Sequence, residues 1–327
     1  AKKKPETDKN NAYQQKLWKI VLLVVLGLAA TVVGSALAVD AACVIARLLG
    51  MSERFIGLTI VALGTSLPEL FTSVSAARRG DSDLAIGNIV GSNILNVLLI
   101  LGITSVIKPI AVQKSTVRYE IPFVIAVTGL LMGLGLTDNV VAFTDGLILW
   151  ALMICYLLYL LRTAKHGGDM PEELPGEDKE MPVWKMLLLI VLGGVMIVFG
   201  SDVAVDAATE LARIFGMSER LIGLTIVAFG TSLPELVTSA TAAVKGKADI
   251  AVGNIVGSNI FNILFVVGTS ALITPVTYVS DFLADSVACI AAAALLWVLV
   301  WRKHRLGRLG GVCLLAGYAV YFVYLIG

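Results

Sequence analysis

The chain has 327 residues, of which 57% are hydrophobic and only 15% charged, and its formal net charge is +1. Water-soluble domains carry about 45–50% apolar and about 25% charged residues, so a soluble globule is excluded. The near-zero net charge leaves no global field for nucleic acid or another polyanion.

Residues 1–16 form a polar stretch that opens with Lys2, Lys3 and Lys4. It has no apolar core of a signal peptide. Methionine removal is the simple account of a start at Ala1, and the tail is expected to be disordered. Ten apolar segments follow, near 17–49, 54–77, 84–107, 119–137, 143–162, 183–215, 220–243, 250–273, 281–301 and 306–326. Each is long enough to cross a hydrocarbon core of about 30 Å as a helix, the form that satisfies every backbone polar group in lipid. The fold class is therefore an all-α membrane protein with ten transmembrane helices. The first and sixth segments, at about 1.5 Å per residue, outrun the bilayer and are expected to tilt or to continue past its surface.

Between the fifth and sixth segments, residues 168–182 form an acidic linker with Pro171, Pro175 and Pro182. It lacks the Asp-x-Asp-x-Asp-Gly spacing of a calcium loop, so a solvated connector is the expectation. Cys43, Cys155, Cys289 and Cys313 all fall in apolar stretches, with neither a disulfide framework nor a zinc spacing.

The strongest signal is self-similarity. Residues 50–70 read GMSERFIGLTIVALGTSLPEL and residues 216–236 read GMSERLIGLTIVAFGTSLPEL. DLAIGNIVGSNILN at 83–96 is answered by DIAVGNIVGSNIFN at 249–262, at the same offset of 166 residues. This is one duplication, dividing the chain into repeats at 17–167 and 183–327. Five spans per repeat is an odd number, so the second repeat enters from the opposite face. Inverted repeats of this kind are a transporter device, with substrate at the midplane where the repeats meet. Lys and Arg counts favour an outside N-terminus and a cytoplasmic acidic linker, whereas the basic N-terminal tail argues for the opposite orientation.

Glu69 lies about sixteen residues into the second span and Glu235 has the equivalent place in the seventh. A carboxylate at that depth is by default functional. Thr65 and Glu69 are four apart and share a helix face, with Ser66 beside them. Pro68 has no N–H for the Gly64 carbonyl and opens the helix there, which offers carbonyl oxygens near Ala62 to Thr65 as ligands. Ala228, Thr231, Ser232, Pro234 and Glu235 repeat the set. Ser92 and Asn96 share a face of the third span, as do Ser258 and Asn262 of the eighth. Gly87 with Gly91, and Gly253 with Gly257, allow close helix approach. Asn88, Asn93, Asn254 and Asn259 serve either as ligands or as helix cross-links. The inventory is all oxygen, with His166 and His304 in expected loops, and it suits Ca2+ or Na+ rather than zinc or copper. Asp40, Asp202, Asp206, Glu210 and Asp285 are expected at wet helix ends or beside Arg47 and Arg213, with Asp206 a candidate for an ion path.

GTSLPEL paired with GNIVGSNILN, and again with GNIVGSNIFN, resembles the two alpha-repeats of the sodium/calcium exchanger family, prokaryotic type, within the cation/calcium exchanger superfamily. The resemblance implies a Na+/Ca2+ antiporter of a prokaryotic plasma (inner) membrane. It implies calcium on Glu69, Glu235, Thr65 and Thr231. Sodium would be held by these four together with Ala62, Ser66 and Ser92 on one side, and Ala228, Ser232 and Ser258 on the other. It also implies that the long first and sixth helices slide to switch access. Members often carry an aspartate at one of the positions matching Asn96 and Asn262. With asparagine at both, the cavity charge rests on two glutamates.

The nearest rival is a calcium/proton exchanger, since membrane carboxylates also take protons. A calcium channel would use the same oxygens, but an inverted duplication fits alternating access better. An intramembrane enzyme would need a membrane histidine or a GxGD-type aspartate pair, and the sequence has neither. The expected partners are Ca2+, Na+ and the lipid bilayer, with no cofactor and no obligate protein partner.

Overall fold

The computed structural model describes residues 6–48, 51–80, 82–166, 182–216, 228–278 and 281–326. It is almost entirely helical. Helix α1 (Glu6–Leu48) is followed by a broken segment of α2 (Glu53–Ile56), a π-helical turn (Gly57–Val61), α3 (Ala62–Thr65) and α4 (Leu67–Arg78). Next come α5 (Ser82–Ile94), a π turn (Leu95–Ile100) and α6 (Leu101–Ile107), then α7 (Ile121–Asp138) and α8 (Phe143–His166). The second half supplies α9 (Val183–Ile214), α10 (Ala228–Thr231), α11 (Leu233–Val244) and α12 (Ala248–Phe261). A π turn (Asn262–Val267), α13 (Gly268–Ile273), α14 (Asp281–Trp301) and α15 (Arg308–Ile326) complete it.

Eight helices among the described residues are long and apolar enough to cross a membrane, or nine when the bent pair Glu53–Thr65 and Leu67–Arg78 counts as one span. The segment expected at 220–243 begins in 217–227, outside the described residues, as does nearly all of the acidic linker. Two sequence expectations change. The polar residues from Glu6 onward continue α1 rather than forming a loose tail, because the run to Trp18 contains neither glycine nor proline to stop a helix. His166 is the last residue of α8 rather than a loop residue.

Local chemistry sets the ends. The Ser52 hydroxyl accepts from the Phe55 N–H (3.2 Å) and caps α2. The Asp145 carboxylate accepts from the Ala142 N–H (2.8 Å) and caps α8. Asn139, in the left-handed region at φ 61°, stops α7.

Two short antiparallel pairs stitch the halves together at the helix ends. β1 (Ile110–Ala111) pairs with β4 (Arg305–Leu306), and β2 (Val140–Val141) pairs with β3 (Val276–Thr277). Each pair joins one strand from each half.

The centre is built from the GNIVGSN helices. In the apolar windows of Ala248–Ile273 and Ala85–Ile107, 94% and 78% of residues are buried, against 11–39% for the other candidate spans. Small residues make this possible: a Cβ on Gly257 would lie 2.7 Å from the Ala62 Cβ, and one on Gly253 would lie 3.1 Å from the Leu58 nitrogen. Helices α1 and α9 cross each other in the same way, Gly27 against Gly200 and Gly34 against Gly193, where an added Cβ would meet a carbonyl oxygen at 2.5 and 2.7 Å. Their outer faces are exposed apolar side chains such as Leu22, Val25, Leu188 and Phe199.

Asp40 on α1 pairs with Lys245 at the end of α11 (2.6 Å), and the side chain of Arg47, its expected neighbour, lies outside the described residues. The repeat counterparts of these two, Asp206 and Arg79, are exposed, and among the described residues no ion pair joins them. Away from the centre, the buried Arg54 guanidinium bonds Glu120 (Nη1–Oε1, 3.0 Å), and the Tyr159 hydroxyl donates to the same oxygen (2.8 Å). The sequence reading did not anticipate this cluster.

Candidate functional site

The polar centre lies where the two broken segments meet the two GSN helices. The first segment breaks at Ser66 (φ −87°, ψ 5°) and the second at Ser232 (φ −90°, ψ 5°), both with Pro two residues on. Leu67–Arg78 is turned by 42° from the helix before it. Pro68 and Pro234, lacking N–H groups, sit in the first turns of α4 and α11 and leave the Gly64 and Gly230 carbonyls without that intrahelical donor. Glu69 and Glu235 follow directly, so each carboxylate lies just past a break.

Both glutamates are completely buried, and Thr65, Ser66, Ser92, Ser232, Ser258, Asn96 and Asn262 are at most 3% exposed. Thr231 is half-buried and Ala228 opens α10. Ser66 Oγ donates to Glu235 Oε1 (3.3 Å), and Ser232 Oγ reaches Glu69 Oε1 (3.5 Å). Each carboxylate is therefore met by the hydroxyl of the other motif copy. Ser258 Oγ lies 3.4 Å from both Glu235 Oε1 and the Ala62 carbonyl oxygen, and 3.3 Å from Thr65 Oγ1.

Ala62 and Ser66 of the first motif copy gather with Ser258 and Glu235 of the second. Helical periodicity says which residues share a face, but the broken helix of one copy packs its break against the GSN helix of the other. Ser92, the counterpart of Ser258, lies beside Glu69.

The asparagines expected as ligands or cross-links make hydrogen bonds between helices. Thr65 Oγ1 donates to Asn254 Oδ1 (2.9 Å) and Thr231 Oγ1 to Asn88 Oδ1 (3.3 Å). Asn254 and Asn88 then donate to Ser239 (3.0 Å) and Ser73 (3.1 Å). Ser73 and Ser239 were missed in the sequence, although both lie four residues past a motif glutamate and so on its helix face.

Among the described residues no Lys, Arg or His pairs with Glu69 or Glu235; Arg54–Glu120, Lys245–Asp40 and Lys247–Glu53 are ion pairs away from them. The second oxygens of both glutamates, with Asn96 Oδ1 and Asn262 Oδ1, are buried without a partner among the described residues. Two buried carboxylates without a basic neighbour need a positive charge from elsewhere, and the spare atoms are oxygens of the kind that bind hard cations. Asp202 and Asp206 are exposed on α9, and Asp285 accepts from the Tyr321 hydroxyl (3.0 Å), all outside this cluster.

Residues 19–162 and 185–327 match the sodium/calcium exchanger protein family. The sodium/calcium exchanger MaX1 of Methanosarcina acetivorans is 32% identical over 347 residues, covering 93% of this chain and 97% of its own. Inner membrane protein YrbG of Escherichia coli (strain K12) is 37% identical over 317 residues, covering 93% of this chain and 95% of its own. The solved structure of the sodium-calcium exchanger NCX_Mj soaked with 2.5 mM Na+ and 0.1 mM Ca2+ superposes with a TM-score of 0.80. Its sequence identity is 31%, and the match covers 93% of this chain and 97% of that one.

Proposed function

The chain belongs to the sodium/calcium exchanger family, and on that premise we propose that it is a secondary active antiporter exchanging Na+ for Ca2+ across a prokaryotic inner membrane. Its ten spans form two inverted five-helix repeats, which present one midplane site to each side in turn. Glu69 and Glu235 bind calcium with Thr65 and Thr231. Sodium uses the same carboxylates with Ala62, Ser66, Ser92, Ala228, Ser232 and Ser258, while Asn96 and Asn262 line the cavity between.

One observation carries the reading. Two fully buried carboxylates, without a basic partner among the described residues, are each contacted by a hydroxyl from the opposite motif copy. Two negative charges balance one Ca2+ or two Na+, so the ions compete, and competition at a site opened alternately to each face is exchange. The one-sided Asp40–Lys245 contact supports alternation, since inverted repeats swap roles when access switches.

The assignment of the driving ion is tested by calcium uptake into proteoliposomes. Vesicles loaded with sodium and diluted into sodium-free buffer take up calcium, and equal sodium on both sides stops it. Uptake that ignores sodium but follows an outward proton gradient would make the protein a calcium/proton exchanger. Uptake without either gradient would make it a channel.

A further inference from the structure

The GSN helices carry a second pair of asparagines, one residue after the site serines, and their hydrogen bonds determine what the cavity asparagines offer. Asn93 and Asn259 are each 1% exposed. Asn93 Nδ2 donates to the Asn259 main-chain carbonyl (3.2 Å), and Asn259 Nδ2 donates to the Asn93 carbonyl (3.2 Å). A main-chain carbonyl only accepts, so these contacts assign the NH2 end of both amides. The oxygen ends must then point the other way, and each accepts a hydrogen bond: Asn93 Oδ1 from Asn262 Nδ2 (3.0 Å), and Asn259 Oδ1 from Asn96 Nδ2 (3.0 Å). An amide oxygen also only accepts, so the NH2 ends of Asn96 and Asn262 are committed in turn. With the NH2 end held by one of its two N–H groups, each presents an Oδ1 that is buried and without a partner among the described residues.

Asn96 and Asn262 lie in the π turns of their helices. The turn holding Asn96 packs against α11, which carries Glu235, and the turn holding Asn262 packs against α4, which carries Glu69. A flipped amide would present a positive NH2 there.

We propose that Asn93 and Asn259 are positioning residues for cation selection. Through a relay anchored on main-chain carbonyls, they hold the Asn262 and Asn96 amides oxygen-outward and keep the NH2 ends away from the ion. The proposal rests on the cavity being the shared Na+/Ca2+ site. Ion–dipole energy scales with the charge of the ion, so the fixed orientation favours the divalent cation over the monovalent one.

The test is calcium binding, and its displacement by sodium, in purified Asn93→Leu and Asn93→Asp proteins. Leucine removes both ends of the relay, whereas aspartate keeps an oxygen for Asn262 Nδ2. Asn93→Leu is expected to weaken calcium binding about tenfold, the scale of one buried hydrogen bond, with a smaller change for sodium and retention of the gel-filtration profile. Asn93→Asp is expected to recover most of the calcium affinity. If Asn93→Leu does not fold, Asn259→Ala carries the same expectation through Asn96. Unchanged affinities in Asn93→Leu, or equal losses for both ions with no recovery by aspartate, would overturn the proposal. Failure of the native protein to bind calcium in the same titration would instead overturn the functional reading beneath it.

Discussion

Glu69→Gln and Glu235→Gln are each expected to abolish sodium-driven calcium uptake while leaving a protein that elutes as the native one does. Glutamine keeps the size and one acceptor oxygen of the side chain, so packing around α4 and α11 is preserved. What it removes is a full charge from a site where both carboxylates are completely buried and the contacts are hydroxyls. Removing one partner of a buried charge contact costs roughly 2–5 kcal/mol, a loss of about 30-fold to several thousand-fold in affinity. A calcium ion in that cavity would face one unit of negative charge instead of two. Calcium uptake at the native rate in either variant would remove the pair of glutamates from the mechanism. Loss of the monodisperse peak would instead assign them a structural role.

Arg54→Leu acts on the fold rather than on transport chemistry, and it is expected to be the most destabilising single change outside the centre. Arg54 sits at the start of α2 and reaches Glu120, which immediately precedes α7 and is 1% exposed. The Tyr159 hydroxyl also donates to that carboxylate, so three separate elements are tied at one point. Removing the guanidinium strands a buried carboxylate, at a cost of about 3–5 kcal/mol. Replacing both charges by leucine removes the stranded group as well as the pair. Thermal unfolding in detergent should therefore show a large fall for Arg54→Leu and substantial recovery in the Arg54→Leu, Glu120→Leu double variant. A double variant no more stable than the single one would mean that geometry, not the uncompensated charge, sets the loss.

The sequence made the central helices readable because their signal is local and duplicated. Segment ends at 84–107, 143–162, 183–215 and 281–301 lie within a few residues of the observed helices. The proline two residues past each break serine marks where the helices turn. Contacts between distant elements were not readable. A spacing of four places Ser258 and Asn262 on one face but does not say that Ser258 meets Ala62 and Glu235. Nothing near Asp40 in sequence points to Lys245, 205 positions away, as a partner. Arg54 lies within the duplicated stretch at 50–70, but Glu120 is 66 positions on and outside it, so no periodicity joins them. The π turns at Leu95–Ile100 and Asn262–Val267, which hold Asn96 and Asn262, have no residue signature of their own.

The central claim is that one pair of glutamates holds calcium or sodium, but not both. Equilibrium calcium binding to the purified protein, titrated with sodium at constant ionic strength, measures this directly. The account predicts complete displacement of calcium with a sodium dependence steeper than one-to-one, because two carboxylates vacated by one Ca2+ call for more than one Na+. Calcium that stays bound at saturating sodium would place the two ions at separate sites and contradict it.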